Sequence, residues 1–328
     1  MKQNYKWLSL LIGLCLALCV FAGCNESVPP HECGHVCPTC GKCTDETCDD
    51  PVCAEKCEGH ETAQKKYTLK VMSVNLDQGL IEKSEQCIER IASVNPDVIG
   101  VQEESTQWKK ALTDEMESYG YSHVCYFRGG PQGYDEACGI FYNYDRFELL
   151  DQGAFSLSPT PDKIPSTATE WGAMYPRVCN WVELKDKDSG FVFAYFNTHY
   201  DYATELSKLN SSKLIIERAQ ALGVPTFFSG DLNFAYNEEK NEETYSVLTS
   251  FFDDSRQTAA ETDQGITFNN YGSPTENGKP IYTAAIDYIF YTKGDFTPLK
   301  YEIIPEKVEG QWTSDHYPIV STFEYTME

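Results

Sequence analysis

Hydrophobic and polar residues follow a regular pattern from about residue 67 to the C-terminus. Short apolar runs predict strands, and apolar residues repeating every three or four positions predict helices. The predicted strands are residues 67–76, 97–102, 137–143, 178–184, 191–198, 225–229, 285–291 and 317–325. The predicted helices are residues 83–94, 106–119 and 204–222. This order predicts an α/β fold with helices outside the sheets, in one domain of roughly 260 residues.

The first 23 residues have a different composition. Lys2 and Lys6 precede an apolar run that is typical of an export signal and too short for a spanning helix. An uncleaved membrane anchor is the alternative. Phe21-Ala22-Gly23-Cys24 resembles a bacterial lipobox, in which the cysteine is lipidated and becomes the mature N-terminus. The sequence therefore predicts an exported protein, lipid-anchored through Cys24 to the outer face of the bacterial cytoplasmic membrane.

Residues 24–66 form a predicted cysteine-rich tether, with seven cysteines and three histidines between His31 and His60. The segment has too few apolar residues to build a core. Cys37-Pro-Thr-Cys40-Gly-Lys-Cys43 has the close spacing of a zinc knuckle, so Zn²⁺ binding is one interpretation. Disulfides outside the cell and a flexible spacer are the alternatives, and no catalytic role is predicted.

The formal net charge of −24 argues against tight clamping of polyanions through a large basic surface. It does not exclude a nuclease, because a bound metal can supply the local positive potential that cleavage requires.

Six short motifs place polar side chains just beyond predicted strands. They are Ser73-Val-Asn75-Leu, Val101-Gln-Glu103, Asn197-Thr-His199-Tyr-Asp201, Gly230-Asp231-Leu-Asn233, Ile286-Asp287-Tyr-Ile-Phe and Ser314-Asp315-His316-Tyr-Pro. Each alone is typical of a turn. Together they offer oxygen ligands suited to Mg²⁺, Mn²⁺ or Ca²⁺, and an imidazole with a carboxylate to orient it. His123 lies outside these motifs and is interpreted as structural.

The ordered motifs resemble those of the endonuclease/exonuclease/phosphatase superfamily, whose members share the deoxyribonuclease-I-like fold. The resemblance spans residues 67–328. It implies a four-layer α/β sandwich, in which two packed mixed β-sheets are flanked by helices. It also implies a divalent metal, Mg²⁺ or else Mn²⁺ or Ca²⁺, held by Asn75, Glu103 and Asp315.

The resemblance implies catalytic roles for five further residues. His316 would be the general acid–base, oriented by Asp287. Asp231 and Asn233 would position the attacking water or a second metal, and His199 would contact the scissile phosphate.

Two more residues would contact phosphate. One is Asn197, beside His199 in the same motif. The other is Arg177, which precedes a strand tryptophan, as in the secreted bacterial and deadenylase-like branches. Many relatives have a second histidine after the Asn-Thr-His motif, where this chain has Tyr202. Any substrate contact made through that histidine is therefore absent here.

These features predict a metal-dependent phosphodiesterase, with an extracytoplasmic nuclease as the leading hypothesis. The alternatives are a phosphatase or a sphingomyelinase-type hydrolase of the same fold, and an inactive surface binding protein. The predicted partners are nucleic acid or another phosphoester and the membrane, and no protein partner is evident. Disulfides among the four cysteines of the domain remain possible, but spacing does not give their pairing. These cysteines are Cys87, Cys125, Cys138 and Cys179.

Overall fold

The computed structural model describes residues 65–129, 136–305 and 307–327. The predicted signal, the Cys24 lipidation site and the cysteine-rich tether lie outside these residues. The described residues form one unit, Lys65–Met327. Within it, no helix is both long enough and apolar enough to span a membrane.

The first sheet has seven strands in the order β10-β14-β15-β1-β2-β4-β3. Its strands are β1 (Lys65–Asn75), β2 (Val98–Gln102), β3 (Tyr121–Val124), β4 (Ile140–Asn143), β10 (Glu261–Thr262), β14 (Thr297–Ile303) and β15 (Ile319–Met327). β1 is parallel to β2 and antiparallel to β15, so this sheet is mixed.

The second sheet has six strands in the order β5-β6-β7-β8-β13-β9. Its strands are β5 (Phe147–Ser156), β6 (Val178–Asp186), β7 (Val192–His199), β8 (Thr226–Asp231), β9 (Phe252–Asp254) and β13 (Asp287–Thr292). β7 and β8 are parallel, and β13 is antiparallel to β8. A separate two-stranded ribbon joins β11 (Thr275–Glu276) to β12 (Lys279–Pro280).

Five α-helices connect the strands of the described chain. They are α1 (Ser84–Val94), α2 (Thr106–Ser118), α3 (Glu205–Leu222), α4 (Glu242–Phe251) and α5 (Ser255–Thr258). Short 3-10 helices occur at Ile81–Lys83, Thr169–Trp171, Glu239–Asn241 and Asn270–Gly272. The side chains of Ser105 and Thr204 accept the backbone N–H groups of Trp108 and Ser207, in the first turns of α2 and α3, which fixes where these helices begin.

Three apolar cores hold the layers together. The central core joins the inner faces of the two sheets and includes Val71, Tyr195, Phe227 and Ile289. A second core packs α1 and α2 against the first sheet, and a third packs α3 and α4 against the second sheet. Burying each large apolar side chain contributes about 1.5–3 kcal/mol, so these cores are the main source of stability. The result is the predicted four-layer sandwich.

The strand directions bring the predicted motifs to one edge of both sheets. β1, β2, β7 and β8 all end at this edge, because the two strands of each parallel pair run in the same direction. β13 is antiparallel to β8 and begins there, with Asp287 opposite Asp231. His316 just precedes β15, which is antiparallel to β1. Residues far apart in sequence therefore meet in one cleft.

Candidate active site

The centre of the cleft is the carboxylate of Asp231, at the end of β8. Its Oδ1 accepts the backbone N–H of Asn233 at 2.9 Å. Its Oδ2 accepts a hydrogen bond from Asn75 Nδ2 at 3.1 Å and lies 3.5 Å from His199 Nε2 and 3.6 Å from His316 Nε2. Asp231 therefore lies between two imidazoles.

The backbone at this point depends on a glycine. Gly230 has φ 153°, and a Cβ atom there would lie 1.9 Å from the carbonyl oxygen of Thr198 on the neighbouring strand. Only glycine fits so close an approach, which is why Gly230 precedes Asp231. Asn233 and Glu103 also have left-handed backbone, with φ of 53° and 59°. Left-handed backbone is costly for glutamate and often marks functional positions.

His316 and Asp287 form a buried pair. His316 Nδ1 lies 2.8 Å from Asp287 Oδ2, so Nδ1 donates to the carboxylate and Nε2 faces the cleft. Burial by itself lowers the pKa of His316, but the carboxylates of Asp287 and Asp231 outweigh that effect and raise it to about 10. In the absence of a metal the ring therefore carries a proton on Nε2 at neutral pH.

His199 is oriented by a hydrogen bond at Nε2 and lies with Nδ1 near Glu136. Asn233 Nδ2 lies 2.9 Å from its Nε2 and 3.0 Å from the carbonyl of Tyr200. Because Nδ2 is a donor, Nε2 accepts, and the proton of the neutral ring is on Nδ1, which lies 3.3 Å from Glu136 Oε1 without hydrogen-bond geometry. The tautomer of His199 thus follows from its neighbours.

Four carboxylates, those of Asp77, Glu103, Asp231 and Asp315, occupy the acidic side of the cleft. Burial is the largest cause that raises the pKa of Asp315 to about 6; His316 lowers it, and the charges of Asp77, Glu103 and Asp231 add to the rise. Burial likewise raises the pKa of Asp77, and Glu103 adds to the rise. Such crowded, partly desolvated carboxylates would be relieved by a cation.

Of the predicted metal ligands, Asn75 and Glu103 are in direct contact, and Asp315 is near enough for the charge of Glu103 to raise its pKa. Asn75 Nδ2 lies 3.2 Å from Glu103 Oε1, and Glu103 Oε2 accepts the backbone N–H of Gln78 at 3.0 Å. Asn75, Glu103 and Asp315 supply only oxygen ligands, which suits Mg²⁺, Mn²⁺ or Ca²⁺. Asp231, Asp287 and His316 also have potential ligand atoms within 4.8 Å of one another.

The basic side of the cleft contains two arginines around Glu136. Arg128 Nη2 lies 2.6 Å from Glu136 Oε2, and Arg177 Nη1 lies 3.3 Å from Oε1. Both guanidinium groups lie over the ring of Tyr175, at 5.5 and 5.9 Å from its centroid. With Asp201 also beside Arg177, two carboxylates balance the two arginines, so this side is distinguished by its guanidinium N–H donors next to His199.

Asp201 fixes the loop that leads to Arg177. Its carboxylate accepts the backbone N–H groups of Met174 at 3.2 Å and Tyr175 at 3.0 Å. Arg177 Nε lies 3.8 Å from the same carboxylate. Asp201 therefore holds the loop of Tyr175 and Arg177 against the end of β7.

Asn197 is the predicted site residue that the structure does not bring to the cleft. It is fully buried, and its Nδ2 donates to the carbonyls of Val101 and Gly139, both at 2.8 Å. Its Oδ1 accepts from Gln102 Nε2 at 2.7 Å. With these atoms engaged inside the protein, Asn197 joins the two sheets beneath the site and does not reach a phosphate in this structure.

Glu136, Arg128 and Asp77 belong to the site but were not among the predicted residues. Glu136 directly precedes the predicted strand 137–143. A search for polar residues just before strands, as well as just after them, would have found it. No motif marks Arg128 or Asp77, because only the packing of loops brings them to the cleft. The four cysteines of the domain are free thiols in the structure.

Comparisons with known proteins agree with this geometry. The profile of the Endonuclease/Exonuclease/phosphatase family matches residues 72–316. No curated protein was found to match the chain.

Three solved structures from Bacteroides resemble this fold. A Bacteroides thetaiotaomicron protein of the same family is 26% identical, with TM-score 0.69, covering 80% of this chain and 100% of its own. A Bacteroides vulgatus endonuclease/exonuclease/phosphatase is 24% identical, with TM-score 0.69 and coverage of 79% and 99%. The mannosyl-6-phosphatase of B. thetaiotaomicron is 26% identical, with TM-score 0.64 and coverage of 78% and 99%. By its motifs, fold and profile, this chain belongs to the endonuclease/exonuclease/phosphatase family of phosphoester hydrolases.

Proposed function

We propose that this protein hydrolyses phosphate esters of small polar molecules, with sugar phosphates as the first class to test. The observation that carries the proposal is the pairing of an acidic and a basic side around Asp231, His199 and His316. A phosphoester placed between them would have its oxygens near the arginines and its phosphorus near Asp231. The 26% identity to a mannosyl-6-phosphatase supports a phosphatase.

The charge of the chain supports small substrates. With 26 Lys and Arg against 50 Asp and Glu, the protein lacks the excess of basic residues that holds a long polyanion by its phosphates. The two cleft arginines are instead buried and concentrated at one point, at 9% and 6% exposure for Arg128 and Arg177. Such a local site favours one phosphate group over a polymer backbone.

The residues of the cleft divide the reaction between them. The carboxylate of Asp231, fixed at Oδ1 by the Asn233 N–H, provides Oδ2 as the acceptor that orients the attacking water. His316 Nε2 faces the same point and donates its proton to a phosphoryl or leaving-group oxygen, while Asp287 holds the ring. Arg177 binds a non-bridging oxygen, and His199 would do so as the imidazolium, with a proton on Nε2 as well as on Nδ1. A divalent cation held by Asn75, Glu103 and Asp315 would further neutralise charge on the phosphoryl group.

A nuclease is the second candidate, favoured by exposed aromatic side chains beside these residues. Tyr202 and Tyr271 are 49% and 46% exposed. Tyr271 donates its hydroxyl to Asp77, next to the predicted metal ligands. Tyr202 lies with Tyr175 at 6.2 Å between ring centroids. Exposed rings of this kind can stack on nucleobases as well as on sugars.

The test is a substrate panel with residues 65–328 in Mg²⁺ and in chelator. It contains p-nitrophenyl phosphate, bis-p-nitrophenyl phosphate, hexose phosphates, single-stranded DNA and RNA. We expect metal-dependent release of phosphate from monoesters, lost in His316→Ala. Faster cleavage of DNA or RNA than of any monoester would replace the phosphatase by the nuclease, and no turnover of any substrate would contradict both.

We further propose that the catalytic domain acts outside the cell, tethered by a lipid on Cys24. The lipobox-like Phe21-Ala22-Gly23-Cys24 supports this proposal. In a bacterial host, the full chain should incorporate labelled fatty acid and fractionate with membranes, and Cys24→Ser should do neither. Labelling that survives this substitution would contradict the predicted attachment site.

A further inference from the structure

Three side chains with metal-binding atoms meet behind the segment that carries Glu103. Glu104 follows Glu103 directly, but its side chain is fully buried and lies on the other side of the segment from the cleft contacts of Glu103. His123 lies on β3, and Cys125 follows that strand. Because the chain is extended at β3, His123 and Cys125, which are two positions apart, present their side chains to the same face. Glu104, His123 and Cys125 place one potential ligand atom each within 4.8 Å of one another.

A glycine opens the space in which these side chains meet. Gly139 precedes β4, the strand that lies between β2 and β3. A Cβ atom at Gly139 would lie 1.9 Å from Glu104 Oε2 and 2.8 Å from His123 Nε2. Any other residue would push the carboxylate and the imidazole apart. The ring of Phe141 covers the imidazole, stacked at 4.0 Å between centroids.

The hydrogen bonds around His123 leave one ring nitrogen directed at the carboxylate. Thr113 Oγ1 donates its only proton to the carbonyl of Lys109 at 2.7 Å. It can therefore only accept from His123 Nδ1, which lies 3.2 Å away. With the proton on Nδ1, the lone pair of Nε2 faces Glu104.

That arrangement requires a positive centre between Nε2 and the carboxylate. His123 Nε2 lies 3.2 Å from Oε2 and 3.1 Å from Oε1 of Glu104. Oε1 is fully buried and has no hydrogen-bond partner among the described residues. A second proton on the imidazole would satisfy the pair, and the thiol of Cys125 would then stay hydrogen-bonded to Glu104. A metal ion would engage all three groups, with Thr113 as the outer partner that orients the imidazole.

We propose that Glu104, His123 and Cys125 form a binding site for a zinc-class transition metal ion, separate from the catalytic metal. Sulfur and nitrogen ligands favour Zn²⁺ and similar ions, whereas the cleft ligands Asn75, Glu103 and Asp315 offer only oxygen. The fourth position of the ion is left to water or a small ligand. Glu104 adjoins Glu103, which is a predicted ligand of the catalytic metal. The bound ion would therefore fix the segment of Glu103 and Glu104 to strand β3.

Binding at this site has a proton signature. Burial raises the pKa of Cys125 well above its ordinary value, and the charge of Glu104 raises it further. The thiol is therefore protonated before the metal binds, and coordination releases that proton.

Co²⁺ is the probe, because a cobalt–thiolate bond gives a near-ultraviolet charge-transfer band that oxygen and nitrogen ligands do not give. The protein is residues 65–328, which omits the cysteines of the tether. This part corresponds to the whole of solved relatives that fold as separate chains. We expect one equivalent of Co²⁺ to produce the band, with release of about one proton. Zn²⁺ should abolish the band, and excess Mg²⁺ should not.

Cys125→Ser should eliminate the band, and Glu104→Gln should weaken Co²⁺ binding at least about ten-fold. Cys87→Ser is the matched control, since Cys87 is a buried free thiol of α1 that is not one of the three proposed ligands, and it should keep the band. Circular dichroism verifies that each variant is folded. A folded parent protein without the band would overturn the proposal, as would a band that persists in Cys125→Ser or disappears with Mg²⁺.

Discussion

The acidic and basic sides of the candidate cleft shift the pKa of a buried carboxyl group in opposite directions. On the acidic side, burial and neighbouring carboxylates raise the pKa of Asp315 to about 6. On the basic side, burial also acts to raise the pKa of Glu136, but His199, Arg177 and Arg128 outweigh it and lower the pKa to about 2. Burial has the same sign at both positions, so the charge of the neighbours decides the direction.

This contrast indicates where each part of a substrate complex belongs. The acidic side has more negative charge than its own cations balance, so it can accept a metal ion. The basic side brings two guanidinium groups to one point, and their N–H donors can bind an anion. A phosphoester bound with a metal ion requires a site for the cation and a site for the phosphate anion. Asp231, His199 and His316 lie where the two sides meet.

The largest effect is expected at this junction. His316→Ala should lower kcat for the best substrate about 10²–10⁴-fold, because it removes both the proton donor and the partner of Asp287. Steady-state kinetics in Mg²⁺ measures this loss. Asp287→Asn should have a smaller effect on kcat, since the imidazole stays but loses its orienting charge. Thermal unfolding of both variants serves as the control for folding. A kcat lowered less than about ten-fold in His316→Ala would remove His316 from the reaction.

The layers of the fold were predictable because their elements are marked by apolar periodicity, as in Ser84–Val94, or by residues that begin and end a helix, as Thr204 and Gly223 do. The helix predicted at residues 83–94 is observed at Ser84–Val94, and the helix predicted at 204–222 is observed at Glu205–Leu222. β5 was missed because, although ten residues long, it alternates poorly: only its ends are buried. α4 was also missed, and the strand predicted at 137–143 is shorter, at Ile140–Asn143.

The candidate site was predictable where a motif ends a strand, as at Asp231 and His199. The electrostatics were not predictable, because the pKa of Glu136 depends on Arg128 and Arg177, which only the folded chain brings together. His123 was interpreted as structural for a similar reason. Its closeness to Glu104 and Cys125 depends on Gly139, just before the intervening strand β4. Motif spacing along the sequence does not show that closeness.

The basic side can be tested through stability at low pH. Because the pKa of Glu136 lies below its ordinary value of 4.5, its ionised form stabilises the fold above that pH, and the contribution is lost as pH falls towards about 2. Glu136→Gln should therefore lower the free energy of unfolding by up to about 3 kcal/mol at pH 7. The difference from the parent protein should narrow below pH 4.5.

Urea denaturation in chelator between pH 7 and about pH 3 measures this difference. Glu148→Gln, at an exposed position of β5, is the control and should change stability by less than about 0.5 kcal/mol throughout. A Glu136→Gln deficit that stays constant with pH would show that the ionised carboxylate is not the stabilising form.

The acidic side should give the opposite sign. The pKa of Asp315 is raised from 3.8 to about 6, so the folded state binds its proton more tightly than the unfolded state. In chelator, stability from this group is present below pH 3.8 and is lost as pH rises through about 6. Asp315→Asn should therefore be more stable than the parent protein at pH 7, by at most about 3 kcal/mol.

The same denaturation series, repeated with Mg²⁺, shows whether the stability change in Asp315→Asn comes from the metal site or from an effect of the substitution unrelated to metal. Mg²⁺ should stabilise the parent protein and stabilise Asp315→Asn less, since a ligand has been removed. If Asp315→Asn were less stable than the parent protein in chelator at pH 7, the ionised carboxylate of Asp315 would not destabilise the fold.

The smallest effect is expected for Arg177→Lys, which keeps the positive charge but loses the planar fork. The guanidinium can contact Glu136 and a phosphate at the same time, whereas an ammonium on a flexible stem binds one of them less well. We expect KM to rise about ten-fold with little change in kcat, in line with about 1.5 kcal/mol for one charged hydrogen bond. Arg218→Lys is the matched control, because Arg218 pairs with Asp162 on the surface. If Arg177→Lys lowered kcat and left KM unchanged, Arg177 would act on the transition state alone, and the basic side would not be the place where the substrate first binds.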